Sequence, residues 1–217
     1  MSPPRKIGLI QVFSPDKALE ILRGLIQRPP LDLVLLPEYC FDDQRLGEVR
    51  TVSAQLPHTG IITALVVPGS DEDIGFRRNR AVIFLGGKAS PIYNKFSAER
   101  TNFVGDDRPK NREDFFAQPS HCFVSICNDK QVAKQARPPP KVWLIPASDA
   151  TSESVVVPPL NFTGHILFAN GSQRAQRSSY YQQIVSPYSP PTILPVDCEI
   201  PLGVEEMQEI EIPELSE

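Results

Sequence analysis

The segment FVSICNDK (123–130) is an apolar run that ends on Cys127 and turns polar at once. Two more reactive side chains close apolar runs: Glu38 ends DLVLLPE and Lys95 ends PIYNK. A thiol is mostly protonated at neutral pH, and it attacks carbon when a base within hydrogen-bond reach takes its proton. Histidine is the usual base, but the three in this chain are poorly placed. His121 lies on the strand expected to carry Cys127, six residues before it, which is about 20 Å along an extended chain. His58 and His165 flank apolar runs without a partner motif. A carboxylate can do the same work beside an ammonium that helps hold the charges, and Glu38 with Lys95 supplies that pair. The lysine can also stabilise an oxyanion as it forms. Singly, each residue has a plain reading. Cys127 reads as a small buried hydrophobe, Glu38 as a solvated turn residue and Lys95 as a surface lysine.

Bringing three strand ends together requires sheets. KIGLIQVF (6–13) reads as a first strand. SPDKALEILRGLIQRPP then reads as a helix, with Ser14 as N-cap, Pro15 at the first position and the proline pair 29–30 as the stop. DLVLLPE (32–38) is apolar throughout, as in strands buried on both faces. A weaker helix over 44–55 precedes strands at 61–69, 80–87 and 91–95, the last two joined through GGKAS. HCFVSIC (121–127), KVWLIPA (141–147), HILFAN (165–170), QQIVSP (182–187) and MQEIEIPEL (207–215) complete a largely β second half. Apolar strands mixed with amphipathic helices point to an α/β or layered sandwich. In such folds reactive groups collect at strand ends.

Bulk composition narrows the function classes. The chain has 217 residues, 41% hydrophobic and 22% charged, with a net charge of −4. That fits one domain over 1–217, with 205–217 as an acidic tail. The scattered Lys and Arg argue against a nucleic-acid stripe or a polybasic membrane patch. No run approaches the ~20 apolar residues of a transmembrane helix. The N-terminal apolar run, broken by Gln11, is too short for a signal peptide, so a cytoplasmic location is expected. Four cysteines and three histidines show neither a C-x-x-C pair nor ligand spacing, so neither a disulfide framework nor a metal site is expected. The 23 prolines fall as short clusters between apolar runs and read as loop rigidifiers. RRNR (77–80) and the acidic stretch 204–217 read as solvated surface.

DLVLLPEYCF, PIYNKF and VSICND, in this order, resemble the three signature segments of the nitrilase or carbon–nitrogen hydrolase superfamily. KVWLIPASDA and HILFAN resemble the strands that follow in that family, and the resemblance covers about residues 5–212. It implies an α/β fold of the four-layer α-β-β-α sandwich type and a Glu-Lys-Cys triad. Glu38 would be the general base, Cys127 the nucleophile, and Lys95 with the Asn128 backbone N–H the oxyanion stabilisers. Glu99 is the counterpart of a second carboxylate common in the family. No cofactor is implied. The substrate would be a small amide or nitrile, with an amide favoured.

The chain also departs from the family. It is shorter, ICNDKQVAKQARPPPK lacks the aromatic continuation after the cysteine, and SDATSESVVVPPLNFTG replaces an Arg-rich helix. Those regions build the usual dimer surface, so the expected site is more open, or closed by a protein partner or a second copy. The competing reading is an interaction or regulatory subunit that keeps the fold. A metal-dependent endonuclease-type sandwich would need a Gly-Asp-x-Asn segment and a late Ser-Asp-His, and a Rossmann domain a G-x-G-x-x-G after the first strand; none is present.

Overall fold

The computed structural model describes residues 4–41, 44–68, 77–94, 122–127, 129, 141–148, 162, 164–171, 178–186, 189–201 and 203–213. At 66–68, 77–78, 93–94, 179–186 and 189–199 it describes the backbone alone. Strand β1 (Lys6–Gln11) leads into helix α1 (Pro15–Gly24), which tightens into a 3₁₀ turn over Leu25–Gln27. Ser14 is extended and its Oγ accepts the Lys17 N–H at 3.3 Å, giving the helix its N-cap with Pro15 at the first position. Next come β2 (Leu33–Glu38), helix α2 (Leu46–Gln55), β3 (Gly60–Pro68), β4 (Arg77–Leu85) and β5 (Lys88–Asn94). The second half supplies β6 (Cys122–Val124), β7 (Val142–Ala147), β8 (Gly164–Asn170), β9 (Ser179–Ser186), β10 (Ser189–Glu199) and β11 (Glu206–Glu211).

Two sheets result. The first runs β11-β1-β2-β3-β4-β5 and the second β10-β9-β8-β7-β6. Strands β1 to β3 are mutually parallel, as are β6 to β8. Antiparallel strands extend both sheets.

Side-chain alternation with a period of two builds the layers. Ile7, Leu9, Leu33, Leu35, Ile62 and Ala64 join one cluster with buried residues from both faces of the second sheet, Val124 and Leu144 on one face and Trp143 and Phe168 on the other. Val34, Leu36, Ile61 and Leu65 point the other way, onto Leu19 and Leu22 of α1 and Val49 and Val52 of α2. Helices, sheet and sheet thus make three layers. Each fully buried aliphatic side chain contributes about 1.5–3 kcal/mol, which holds the strand bodies rigid. No helix among the described residues is long and apolar enough to cross a membrane.

Three local outcomes differ from the sequence reading. The β4–β5 turn is tighter than GGKAS suggested. Gly86 and Gly87 alone make it, with φ of 56° and 80°, a backbone that favours glycine, and β5 starts at Lys88. The proline-rich SPPTILPVDCE is strand β10, an edge strand, where missing N–H donors are tolerated. The stretch 204–217 is more than solvated surface. Its residues 206–211 pair with β1, burying Ile210, with Ile212 buried just beyond, while Glu209 and Glu211 stay exposed.

Candidate active site

The carboxyl ends of β2, β7 and β8 converge with the segment after β6. Gly171, the residue after β8, lies against the end of β2. A Cβ on it would come 3.0 Å from Pro37 Cβ and 3.6 Å from the Glu38 carbonyl oxygen, so a side chain would crowd this crossing. The Gly171 N–H donates to the Ala147 carbonyl at 3.1 Å, and the Cys127 N–H donates to the Pro146 carbonyl at 3.0 Å. A short chain of contacts therefore ties Glu38 in one sheet to Cys127 beside the other.

Glu38 is only 2% exposed, which removes the reading of a solvated turn residue. A buried carboxylate must be hydrogen-bonded. Here the Asn79 side-chain amide nitrogen donates to Glu38 Oε1, and it also lies 3.2 Å from the Tyr39 hydroxyl. The β2–β3 ladder shifts register between Leu35 and Glu38, an irregularity that re-aims side chains at a strand end. Beyond it, Tyr39 takes a left-handed φ of 62° while its N–H donates to the Ala64 carbonyl at 3.0 Å. The Thr63 hydroxyl donates to the Pro37 carbonyl at 2.7 Å and fixes the same corner.

Cys127 is also 2% exposed. Strand β6 stops at Val124, and Cys127 sits in the turn that follows, with φ of 46°. The extended path that set His121 about 20 Å away therefore breaks before Cys127, and His121 lies outside the described residues. The turn is closed by the Asp129 N–H donating to the Ile126 carbonyl at 3.0 Å. Cys127 and Tyr39 are the two non-glycine residues with positive φ among the described residues. A left-handed backbone costs about 1–2 kcal/mol, and such strain gathers at functional sites.

Burial pushes Cys40 up to about 12, although a 3.6 Å contact with the Thr63 hydroxyl partly counters it. Burial alone pushes Cys122 up to about 12. Both stay protonated at neutral pH. Cys40, Cys122 and Cys127 are all free thiols. Burial lowers the imidazole of His165 below its usual range, and His58 is exposed.

Gln11 closes β1 and is fully buried. Its amide nitrogen donates to the Pro201 and Val204 carbonyls, both at 2.8 Å, and its oxygen accepts the Ser178 N–H at 2.7 Å. The Ser178 hydroxyl accepts the Asn170 N–H at 2.9 Å. The residue that breaks the first apolar run is thus a clasp holding later segments to the end of β1.

Lys95, Glu99 and Asn128 lie outside the described residues; β5 ends at Asn94, one position before Lys95. Among the described residues, no three His, Cys, Asp or Glu side chains converge to hold a metal ion.

No family model matches the chain, and no curated protein matches its sequence. Solved structures do match by shape. A CN-hydrolase superfamily protein from Xanthomonas campestris, described with an arsenic adduct in its active site, aligns with a TM-score of 0.55 at 14% identity, over 97% of this chain and 91% of its own. The chain shares that protein's fold. Glutamine-dependent NAD⁺ synthetases from Cytophaga hutchinsonii and Acinetobacter baumannii align with TM-scores of 0.61 and 0.60 at 13% and 14% identity. The match covers 99% of this chain in both cases, but the chain spans only 44% and 48% of the synthetases' length.

Within this CN-hydrolase-like fold, sequence reasoning missed Asn79 and Gln11. RRNR (77–80) is part of β4, and within it Asn79 is buried against Glu38 rather than solvated. The available signal was parity. Asn79 stands two residues before Ala81, which faces the second sheet, so it shares that face.

Proposed function

We propose that the chain hydrolyses a non-peptide carbon–nitrogen bond, an amide ahead of a nitrile, through a thioester on Cys127. The observation that supports this reading is the junction at the strand ends: Glu38 is buried there, and its backbone lies by Gly171, which is tied through the Ala147 and Pro146 carbonyls of β7 to the strained turn of Cys127. Glu38 takes the thiol proton as Cys127 Sγ attacks the carbonyl carbon, and the carbonyl oxygen becomes an anion. Lys95 and the Asn128 N–H stabilise that anion. As the intermediate collapses, the C–N bond breaks and the Glu38 proton leaves with ammonia or amine. Glu38 then takes a proton from water, which attacks the thioester, and the released sulfur is reprotonated.

The β4–β5 register supports the place of Lys95. Tyr93 pairs with Ala81 and Asn94 with Arg80, so one more step would set Lys95 opposite Asn79 on the face of Glu38. A fourth, outer layer is part of the same reading, because every residue of β7 and β8 is buried. Three free thiols suit a reducing, cytoplasmic setting. Two neighbours are described as glutamine-dependent, which makes a glutamine-type carboxamide the first substrate to try. Because the chain spans under half of those synthetases, a subunit role alongside a partner is the second reading.

The test is ammonia release across amides and nitriles, with intact-mass trapping of the acyl-enzyme. An adduct on Cys127 with release abolished by Cys127→Ala supports the proposal. Turnover that persists in Cys127→Ala overturns it.

A further inference from the structure

Asn79 has no place in the triad, yet it makes the buried contact to the candidate base. Its backbone belongs to β4, two strands away from Glu38 in the sheet order β2-β3-β4. Its side chain crosses that gap to the carboxylate and also reaches the Tyr39 hydroxyl. The orientation of the amide is fixed chemically, because an ionised carboxylate only accepts, so the NH₂ end must face Glu38. The other end, Oδ1, is buried without a partner among the described residues. A buried polar side chain is costly unless it makes good hydrogen bonds. Asn79 is 7% exposed and shares its face of β4 with buried Ala81, so its presence there needs a reason.

We propose that Asn79 is a positioning residue for Glu38: its NH₂ group fixes one carboxylate oxygen and favours the ionised form that accepts a proton from Cys127. Tyr39 is the second anchor of the same amide. Tyr39 has a left-handed backbone and is 39% exposed, so the residue that accepts the second Asn79 hydrogen bond also reaches the surface. Asn79 therefore links the buried base to an aromatic rim that a substrate can touch. This inference rests on the Glu38–Cys127 reading above.

Other titratable groups lie on the elements around Glu38. They are Tyr39 and Cys40 after β2, Arg77, Arg78 and Arg80 on β4, Lys88 and Tyr93 on β5, and Cys122, Cys127 and Asp129 along and after β6. Lys95 and Glu99 lie outside the described residues. Among the described groups, the Asn79 contact reaches the Glu38 carboxylate itself, so a pH profile of Cys127 reactivity isolates it when Glu38 is also varied.

The experiment is the rate of iodoacetamide alkylation at Cys127 against pH, in wild type, Glu38→Gln, Asn79→Ala, Asn79→Asp and the double variant Asn79→Ala/Glu38→Gln. A hydrogen bond to a charged group is strong enough to move a pKa by about one unit or more. Losing the donor in Asn79→Ala should shift the acid limb up by about one pH unit, roughly a tenfold slower reaction below the midpoint. The isosteric Asn79→Asp, which keeps the shape and adds a like charge, should shift the limb further in the same direction. In the Glu38→Gln background, Asn79→Ala should add nothing. If Glu38→Gln slows alkylation but neither Asn79 variant moves the limb, the positioning role is overturned and the Glu38–Cys127 reading stands. If Glu38→Gln alkylates as fast as wild type, that reading falls and this inference falls with it.

Discussion

The bodies of the parallel strands and their carboxyl ends follow opposite rules. In the bodies, alternate apolar side chains fill one core between the sheets and another under the helices. At the ends stand Gln11, Glu38, Asn170 and, beyond β6, Asp129, all polar and all buried, beside the two left-handed residues Tyr39 and Cys127. Burying polar groups and straining backbone both cost stability. A fold tolerates this where the bodies beneath are rigid enough to hold it. Chemistry is therefore best sought at the ends, where the polar burial and the strained backbone are concentrated.

Separating stability from chemistry sharpens that contrast. Glu38→Gln should slow acylation of Cys127 by roughly 10²–10⁴-fold, the usual weight of a general base. The same change should move the urea midpoint much less than the rate, because glutamine keeps the shape and an acceptor oxygen for the Asn79 amide. Equilibrium denaturation alongside single-turnover kinetics checks both halves. A body substitution should do the reverse. Trp143 is fully buried, donates to the Ser125 hydroxyl at 2.7 Å and packs edge-on against Phe162. Trp143→Ala should cost about 3–5 kcal/mol in urea unfolding.

Gln11→Ala tests a residue that belongs to both regions. It removes the Gln11 partner of the Ser178 N–H and of the Val204 carbonyl and one of two donors to the Pro201 carbonyl, and should cost about 1–3 kcal/mol in the same assay. A smaller effect comes from His165. Its pKa is lowered in the folded chain, so the unfolded chain binds the extra proton. Its contribution is complete above the usual imidazole value of about 6.5 and is lost as pH falls below it. The urea midpoint should therefore drop between about pH 7.5 and 5.5, and drop less in His165→Gln. Least of all, Cys122→Ala should change the alkylation rate of Cys127 less than about twofold, because a thiol pushed up to about 12 is a packing group.

The sequence shows the bodies more clearly than the ends. The apolar runs of β1, β2, β3, β7 and β8 and the cap of α1 are local signals, and each element formed where periodicity placed it. Glu38 was legible because Pro-Glu closes a fully apolar run. Asn79 was hidden among arginines, whose charges mask the strand's parity. Strand β10 was hidden by its prolines, which are acceptable only because it lies at an edge, a tertiary fact. Sequence alone makes the turn at Cys127 a strand, because Ser125 and Ile126 continue the apolar run; its left-handed backbone accompanies the hydrogen bond from the Cys127 N–H to the Pro146 carbonyl of β7, which no residue type announces.

The most direct test of the Glu38–Cys127 pair is intact-mass labelling with one equivalent of iodoacetamide, mapped to the residue, in wild type and Glu38→Gln. A single fast adduct on Cys127 that slows in the variant is expected, while Cys40 and Cys122 remain unlabelled. Labelling of Cys127 no faster than Cys40, or only after unfolding, would contradict it.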